Sequence, residues 1–482
     1  MELPGIRLGV VRGISYGLFG PPDEFGQQAR ALGAGLIRAY VYWGQVEPRP
    51  GEFVWDTVDA LLDQLGTTAE AWVTVCSSSP WATRQPTDFL PPSPAEDLAA
   101  YGRFVERLVE HCAGRVHYWQ CDNEPSNTGL LWAGTAAEYV AQLITLHAAV
   151  KRADPAAAVV LGGCGYDVWS SPEGSEQRRF FDHVVDAGRD AFDLFSVNLY
   201  GDPDRIPAQL ATARGMMQSH GGLKPIVAGE HGGPVPFEFA EAEAAMQSIM
   251  MDAFAAGEPA ASQSTADLID RAAQETPEKR AMRALYARRS TLPPTLQMFL
   301  DGCEPELERA RHRINARQLV ARTLLAAAGG VRRLAYWNLA AEVPGPVDPL
   351  MMMHLLFGKL PLLAYDGTTL GRRFPAADTF ALLAAELAGA EAVTRLPGLT
   401  PASLYGFEVA RAGREPLFVV WDRRDVLDGE TQPPVRVRRS WPAPTAEAVD
   451  AFGGSHPVAL ADGELALEVR DTPVFVTPTR RP

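Results

Sequence analysis

The chain has 482 residues, 46% of them hydrophobic and 21% charged, a globular balance in a length that suits more than one domain. Its 44 basic and 59 acidic side chains leave a formal charge of −15, a field that repels a phosphate backbone, so nucleic acid is not an expected partner; a neutral ligand such as a sugar is indifferent to it. Five scattered cysteines (Cys76, Cys112, Cys121, Cys164, Cys303) lack CxxC spacing and read as reduced thiols, with neither a zinc site nor a disulfide frame. The N-terminus has no basic region followed by an apolar core, and no run approaches ~18 apolar residues. The expectation is a cytoplasmic protein without a membrane span, or a secreted one if a leader was trimmed.

In chain order, short runs rich in Val, Ile, Leu and aromatics recur: LGVVRGIS (8–15), LIRAYVYW (36–43), AWVTVCSS (71–78), VHYWQCDNE (116–124), AAVVLGG (157–163), DLFSVNLY (193–200), PIVAGEHG (225–232) and RLAYWNLA (333–340). Such runs suit strands buried on both faces. Amphipathic stretches such as AAYGRFVERLVEHC (99–112) lie between them. Eight strand–helix repeats predict an α/β protein built on a (β/α)8 barrel over residues 1–390. An open Rossmann-type sheet is the alternative, but no GxGxxG follows the first strand. A long helical insertion, about 235–330, precedes the eighth strand, either as a lid over the site or as packing on the barrel's side. After Leu387 apolar and polar residues alternate between turn signals, which predicts a C-terminal all-β sandwich over 391–482.

Barrel chemistry sits at the C-terminal ends of the strands. The fourth run ends in Asp122-Asn123-Glu124-Pro125 and the seventh in Gly229-Glu230-His231-Gly232. Other ends offer Arg38 and Trp43, Trp81, Asn198 and Tyr200, and Trp337 with Asn338. Aromatic faces stack on a pyranose while amides and arginine bond its hydroxyls. Glu124 and Glu230 lie three strand–helix units apart, so their strand ends face each other across a barrel mouth. Retaining cleavage of a glycosidic bond needs such a pair, one carboxylic acid and one carboxylate about 5–5.5 Å apart. A lone glutamate before proline would more simply cap a helix; two at matching ends favour chemistry.

These residues resemble a known group. The Asn-Glu-Pro of the fourth strand and the Glu of the seventh look like the retaining (β/α)8 glycoside hydrolases of clan A. YVYWGQVEPRPGEFVWD (40–56), YWQCDNEPSNTGLLWAGTAAEYV (118–140) and KPIVAGEHGG (224–233) look most like family 39, the β-xylosidase and α-L-iduronidase group, with families 5, 10 and 42 as near alternatives. The resemblance implies that Glu124 is the acid/base and Glu230 the nucleophile. It also implies that Asn123 bonds the sugar 2-hydroxyl, Tyr200 holds a nucleophile oxygen, Arg38 keeps Glu230 ionised and Trp337 floors the subsite. For Arg38, Tyr200 and Trp337 an ion pair or core packing is the plain alternative. His231 departs from the commoner pattern, with substrate contact and packing both open, and Gly201-Asp202 leaves no evident substitute for hydroxyl contacts placed there in other members.

Rival barrel chemistries fit less well. Of four lysines, Lys224 falls at the wrong rim for a Schiff base, and nine dispersed histidines give no metal cluster. The expectation is a retaining glycosidase acting on oligosaccharides or glycosides, exo-acting and β-xylosidase-, β-glucosidase- or β-galactosidase-like, with no metal and no cofactor. A transglycosylase or a non-catalytic sugar-binding protein is the alternative. Homo-oligomerisation stays open, with the terminal sandwich as a surface.

Overall fold

The eight apolar runs fold as strands because each is buried on both faces. The structure, a computed structural model, describes residues 3–14, 16–18, 25–66, 68–254, 264–266, 274–341, 350–365 and 369–479, with the backbone alone for 249–254. The strands are β1 (Arg7–Val11), β2 (Leu36–Tyr42), β3 (Glu70–Cys76), β4 (Tyr118–Cys121), β5 (Ala158–Val160), β6 (Phe195–Leu199), β7 (Ile226–His231) and β8 (Arg333–Tyr336). All pair in parallel, in the order β5-β4-β3-β2-β1-β8-β7-β6. The ring is nearly closed: between β5 and β6 it rests on the isolated bridges Val160–Leu194 and Cys164–Val197. This is the expected TIM-like barrel.

Alternation along the strands sorts side chains into two cores. Leu36, Tyr40, Trp72, Tyr118, Val160, Val227 and Ala335 fill the barrel interior. Ile37, Ala39, Val41, Val73, Trp119 and Leu334 face the helices. Those helices include Leu98–Cys112, Ala136–Ala153, Glu176–Ala187, Ile206–Ser219, Pro305–Ala328 and Pro375–Glu386. Their starts are set locally: Asp97 accepts from Ala99 N, and Thr135 with Glu138 makes a reciprocal capping box. At the N-terminal rim Glu70 accepts from Arg7, Arg333 and Tyr118, tying β1, β3, β4 and β8 together.

Helix Pro305–Ala328 fills the barrel's own place between β7 and β8, since Leu319, Val320 and Leu324 belong to the outer core. The insertion proper therefore ends near residue 304. Its helices Ala240–Phe254, Pro277–Ala287 and Pro294–Gln297 share a small core of Met282, Leu285, Leu296, Phe299 and Leu300 with Leu355, from the loop after β8. Thr265 N of this insertion donates to Asp88 Oδ1, in the loop after β3, at 2.8 Å. Since β3 and β7 stand opposite each other in the ring, that contact reaches across the mouth.

The C-terminal region forms two antiparallel sheets. One takes β11 (Ala390–Arg395), β12 (Leu404–Arg411), β13 (Leu417–Asp422), β18 (Val474–Thr479) and β15 (Thr445–Asp450) in that order; the other takes β14 (Val435–Ser440), β17 (Glu464–Val469) and β16 (Val458–Ala461). A short antiparallel pair, β9 (Leu363–Tyr365) with β10 (Leu370–Arg373), precedes them. Phe418, Val420 and Val476 pack against Val437, Leu465 and Leu467 between the sheets, while Phe407, Val409, Val419 and Phe475 on the other face join the barrel's outer core. Among the described residues no helix is long and apolar enough to cross a membrane.

Candidate active site

On β2, Arg38 and Tyr40 share the inward face two residues apart, and both are buried. The Arg38 guanidinium is held by Thr74 Oγ1 (3.1 Å), Gly229 O (2.7 Å) and Asn123 Oδ1 (3.0 Å). From that position it meets Glu230 Oε1 at 2.9 Å. Tyr40 Oη donates to the same oxygen at 2.9 Å, and Asn123 Nδ2 at 3.2 Å. Glu230 Oε2 accepts from Tyr200 Oη at 2.9 Å. Burial pushes both phenols well above their ordinary range, so they stand as neutral donors. Four donors thus converge on one carboxylate, three of them on Oε1.

Glu230 faces inward because β7 is irregular. Its register against β6 runs Val197–Ala228 and then Asn198–Glu230, leaving Gly229 as an extra residue. Such a bulge re-aims the side chains beyond it. A Cβ on Gly229 would meet Ser196 Oγ at 2.6 Å and Arg38 Nη1 at 3.2 Å, so residues 229 and 230 both turn to the mouth. His231 is then turned out. It is fully buried edge-on against Tyr336 (5.8 Å), and burial beside Arg322 lowers its pKa to about 3. Its expected substrate contact is corrected: it packs as a neutral ring behind the barrel wall.

Glu124 leaves β4 through strained backbone, since both Asp122 and Glu124 have φ 44 and left-handed residues of this kind cost about 1–3 kcal/mol each. Buried hydrogen bonds hold the turn: Asp122 accepts from Ser77 N (2.9 Å) and Gln142 Nε2 (2.9 Å), and Gln120 Nε2 donates to Asp122 O (2.7 Å). Burial raises the Asp122 pKa to about 7. At the tip, Glu124 Oε1 accepts from Asn198 Nδ2 at 2.6 Å. Burial, then the charges of Glu230 and Asp167, raise the Glu124 carboxyl well above the usual carboxylate range.

Aromatic rings wall the mouth on the β5–β8 side. Trp337 is buried and faces Phe357 edge-on at 6.3 Å, Tyr200 meets Phe357 at 5.2 Å, and Phe237 lies 4.3 Å from Tyr166. Trp43 and Trp81 are corrected. The alternation that turns Arg38, Tyr40 and Tyr42 inward turns Trp43 outward, where it stacks on Phe104 (5.4 Å) and donates to Glu47 Oε2 (2.7 Å). Trp81 packs edge-on against Trp43 at 5.5 Å and donates to Glu47 O at 2.8 Å. Both tryptophans belong to the helical layer.

The structure therefore gathers Glu230, Asn123, Arg38 and Tyr200 into one hydrogen-bonded cluster, sets the bonded pair Glu124 and Asn198 within reach of its charges, and puts Trp337 beside them. Sequence reasoning missed Tyr40, although its position two residues from Arg38 on a buried strand carried the signal. It also missed Thr74, Asp167 and Phe357, which sit in no motif. Among the described residues no group of three His, Cys, Asp or Glu side chains could hold a metal ion.

No protein-family model and no curated protein sequence matches the chain. Similar solved structures include a family 39 glycoside hydrolase from the gut symbiont Bacteroides cellulosilyticus WH2, 15% identical, with a TM-score of 0.62, over 99% of this chain and 81% of that one. A monomeric β-xylosidase from Caulobacter crescentus CB15 is 14% identical with a TM-score of 0.59, over 98% of both chains. A glucosidase from Croceicoccus marinus is 16% identical with a TM-score of 0.54, again over 98% of both. At such identities the likeness establishes a shared fold, a barrel with an appended β region.

Proposed function

We propose that the chain is a glycosidase that cleaves β-glycosides or short oligosaccharides with retention, exo-acting and β-xylosidase- or β-glucosidase-like. One observation carries the reading: Glu230 is anchored by four donors at the mouth where Glu124, bonded to Asn198, has its carboxyl raised by burial and by the Glu230 charge. That the similar solved structures are a family 39 hydrolase, a β-xylosidase and a glucosidase supports it.

Oε1 of Glu230 accepts from three donors and Oε2 from one, so Oε2 has the lone pair to give. It attacks the anomeric carbon as Glu124 gives its proton to the departing glycosidic oxygen. The product is a glycosyl ester whose carbonyl oxygen, Oε1, stays bound to Arg38 and Tyr40. Esterification removes the Glu230 charge, one of the causes that raise the Glu124 carboxyl. Glu124, having given its proton to the leaving group, then stays ionised more readily and works as a base, taking a proton from the water that opens the ester. Asn123 Nδ2 is placed to move from Oε1 to a sugar hydroxyl.

An aryl-glycoside panel read by proton NMR of the first-formed anomer tests this, and retention is expected. Glu230→Ala should lose nearly all turnover, with azide restoring part of it as a glycosyl azide of inverted configuration. Glu124→Gln should slow poor leaving groups far more than activated aryl ones. Inverted product from the wild type, or a Glu230→Ala variant at full rate, would reject the reading.

A further inference from the structure

A third acidic side chain stands in the mouth, and two-carboxylate chemistry does not use it. Asp167 lies in the short helix Tyr166–Ser170 after β5. Both of its carboxylate oxygens are buried, and among the described residues no donor meets either at full hydrogen-bond geometry. Burial raises its carboxyl, while the Ser126 hydroxyl, two residues beyond Glu124, and the backbone N–H groups of Val168 and Asp167 pull the other way to favour the charged form; no cation is among its influences. A Cβ built on Gly165 would stand 2.6 Å from Glu124 Cδ, 2.7 Å from Glu124 Oε1 and 2.8 Å from Asp167 Oδ1. The two carboxyl groups thus flank one methyl-sized space that only glycine leaves free.

A buried carboxylate without a cation is costly, and an asparagine would fill the same space without a charge. What the charge adds is a field on its neighbour, and that neighbour is the proton donor. We propose that Asp167 is a positioning residue for Glu124: across the Gly165 backbone its carboxylate holds the donor's proton in place until the leaving group takes it. This rests on the reading of Glu124 as acid/base.

The surroundings of Glu124 agree. After burial, Glu230 on β7 and Asp167 raise its carboxyl, while the Asn198 hydrogen bond and the Arg38 charge on β2 pull the other way. Tyr200 and Cys164 are the other titratable groups facing it, both pushed upward and uncharged at neutral pH. The roles of the two anions separate during turnover. Once Glu230 is an uncharged ester, Asp167 is the anion that remains beside Glu124, and it makes Glu124 a stronger base toward water.

The test is the pH profile of kcat/KM for wild type and Asp167→Asn, with activated and poor leaving groups. The alkaline limb should move to lower pH by about one unit or more. Above neutrality the loss should fall on poor leaving groups, while the acid limb stays in place. A uniform loss across pH and leaving group, or an unmoved alkaline limb, overturns the proposal. Asp167→Ser, smaller and equally uncharged, gives the same readout if the asparagine variant does not fold; if neither folds, Asp167 is structural and the proposal falls. Glu124→Gln separates the two ideas. If it abolishes the alkaline limb while Asp167→Asn leaves that limb unmoved, the acid/base reading stands and the Asp167 role does not.

Discussion

Glu230 and Glu124 are the same residue type, and their partners alone divide the labour. Four donors surround Glu230; Glu124 has one amide and two acidic neighbours. Tyr40 matters because it donates to Glu230 Oε1 while accepting from Arg38 Nη2 at 3.0 Å. A hydrogen bond to a charged group contributes about 1.5–3 kcal/mol. Tyr40→Phe should therefore lower the melting temperature and, by loosening the anchor of the nucleophile, lower kcat roughly 10- to 100-fold, with KM little changed; steady-state kinetics beside a thermal melt would check it. The two glutamates were legible because each ends a strand in an unusual word, Asn-Glu-Pro and Gly-Glu-His, and Arg38, Asn198 and Tyr200 because they are polar groups in buried strand runs. Asp167 was not legible, because it reaches Glu124 through a loop whose path no local pattern records.

At the scale of elements, all eight barrel strands were readable, since strands buried on both faces write themselves as apolar runs. Which way each side chain points was readable only where alternation is regular. It is regular on β2, and counting from Arg38 would have turned Trp43 away from the mouth. It is irregular on β7, where Val227, Ala228 and Gly229 carry no polar alternation to betray an extra residue, so the choice between substrate contact and packing for His231 could not be read. The bulge needs a glycine because an added methyl has no room beside Ser196 and Arg38. Gly229→Ala should cost about 1–3 kcal/mol of stability through overpacking. It should lower kcat disproportionately, since Glu230 would be pushed off Arg38. Denaturation curves and kinetics on one preparation would separate the two losses, and a fall in stability without a fall in kcat would refute this account of the bulge.

For the whole molecule, stability and chemistry occupy opposite rims. At the N-terminal rim Glu70 neutralises Arg333, which is 1% exposed, and Arg7. Removing one partner of a buried pair strands the other charge, at a cost of about 3–5 kcal/mol. Glu70→Ala should therefore lower the melting temperature by several degrees yet leave kcat at moderate temperature unchanged, because none of the reacting groups touches that network. The appended sheets belong to the same economy of burial. Phe407, Val419 and Phe475 share the barrel's outer core, and Arg317 on the barrel helix pairs with Asp471 at 3.0 Å. The sequence announced this region through its change of texture, but one-dimensional patterning does not say which face of a sheet finds the barrel.

The barrel also has a weak stave. Where β2 and β3 share a continuous ladder of seven residues, β5 and β6 meet at two isolated bridges, backed by hydrogen bonds such as Leu161 N to Leu194 O and Asn198 N to Cys164 O, both 2.9 Å. Thermal breathing will concentrate in that seam, and its amide hydrogens will exchange with solvent ahead of those in β2 or β3. Gly165 and Asp167 hang from one edge of the seam and Asn198 from the other. Each opening therefore loosens the cradle of the proton donor while Arg38 and Tyr40 of β2 keep the nucleophile clamped, so warming should blunt acid assistance before it unravels the fold.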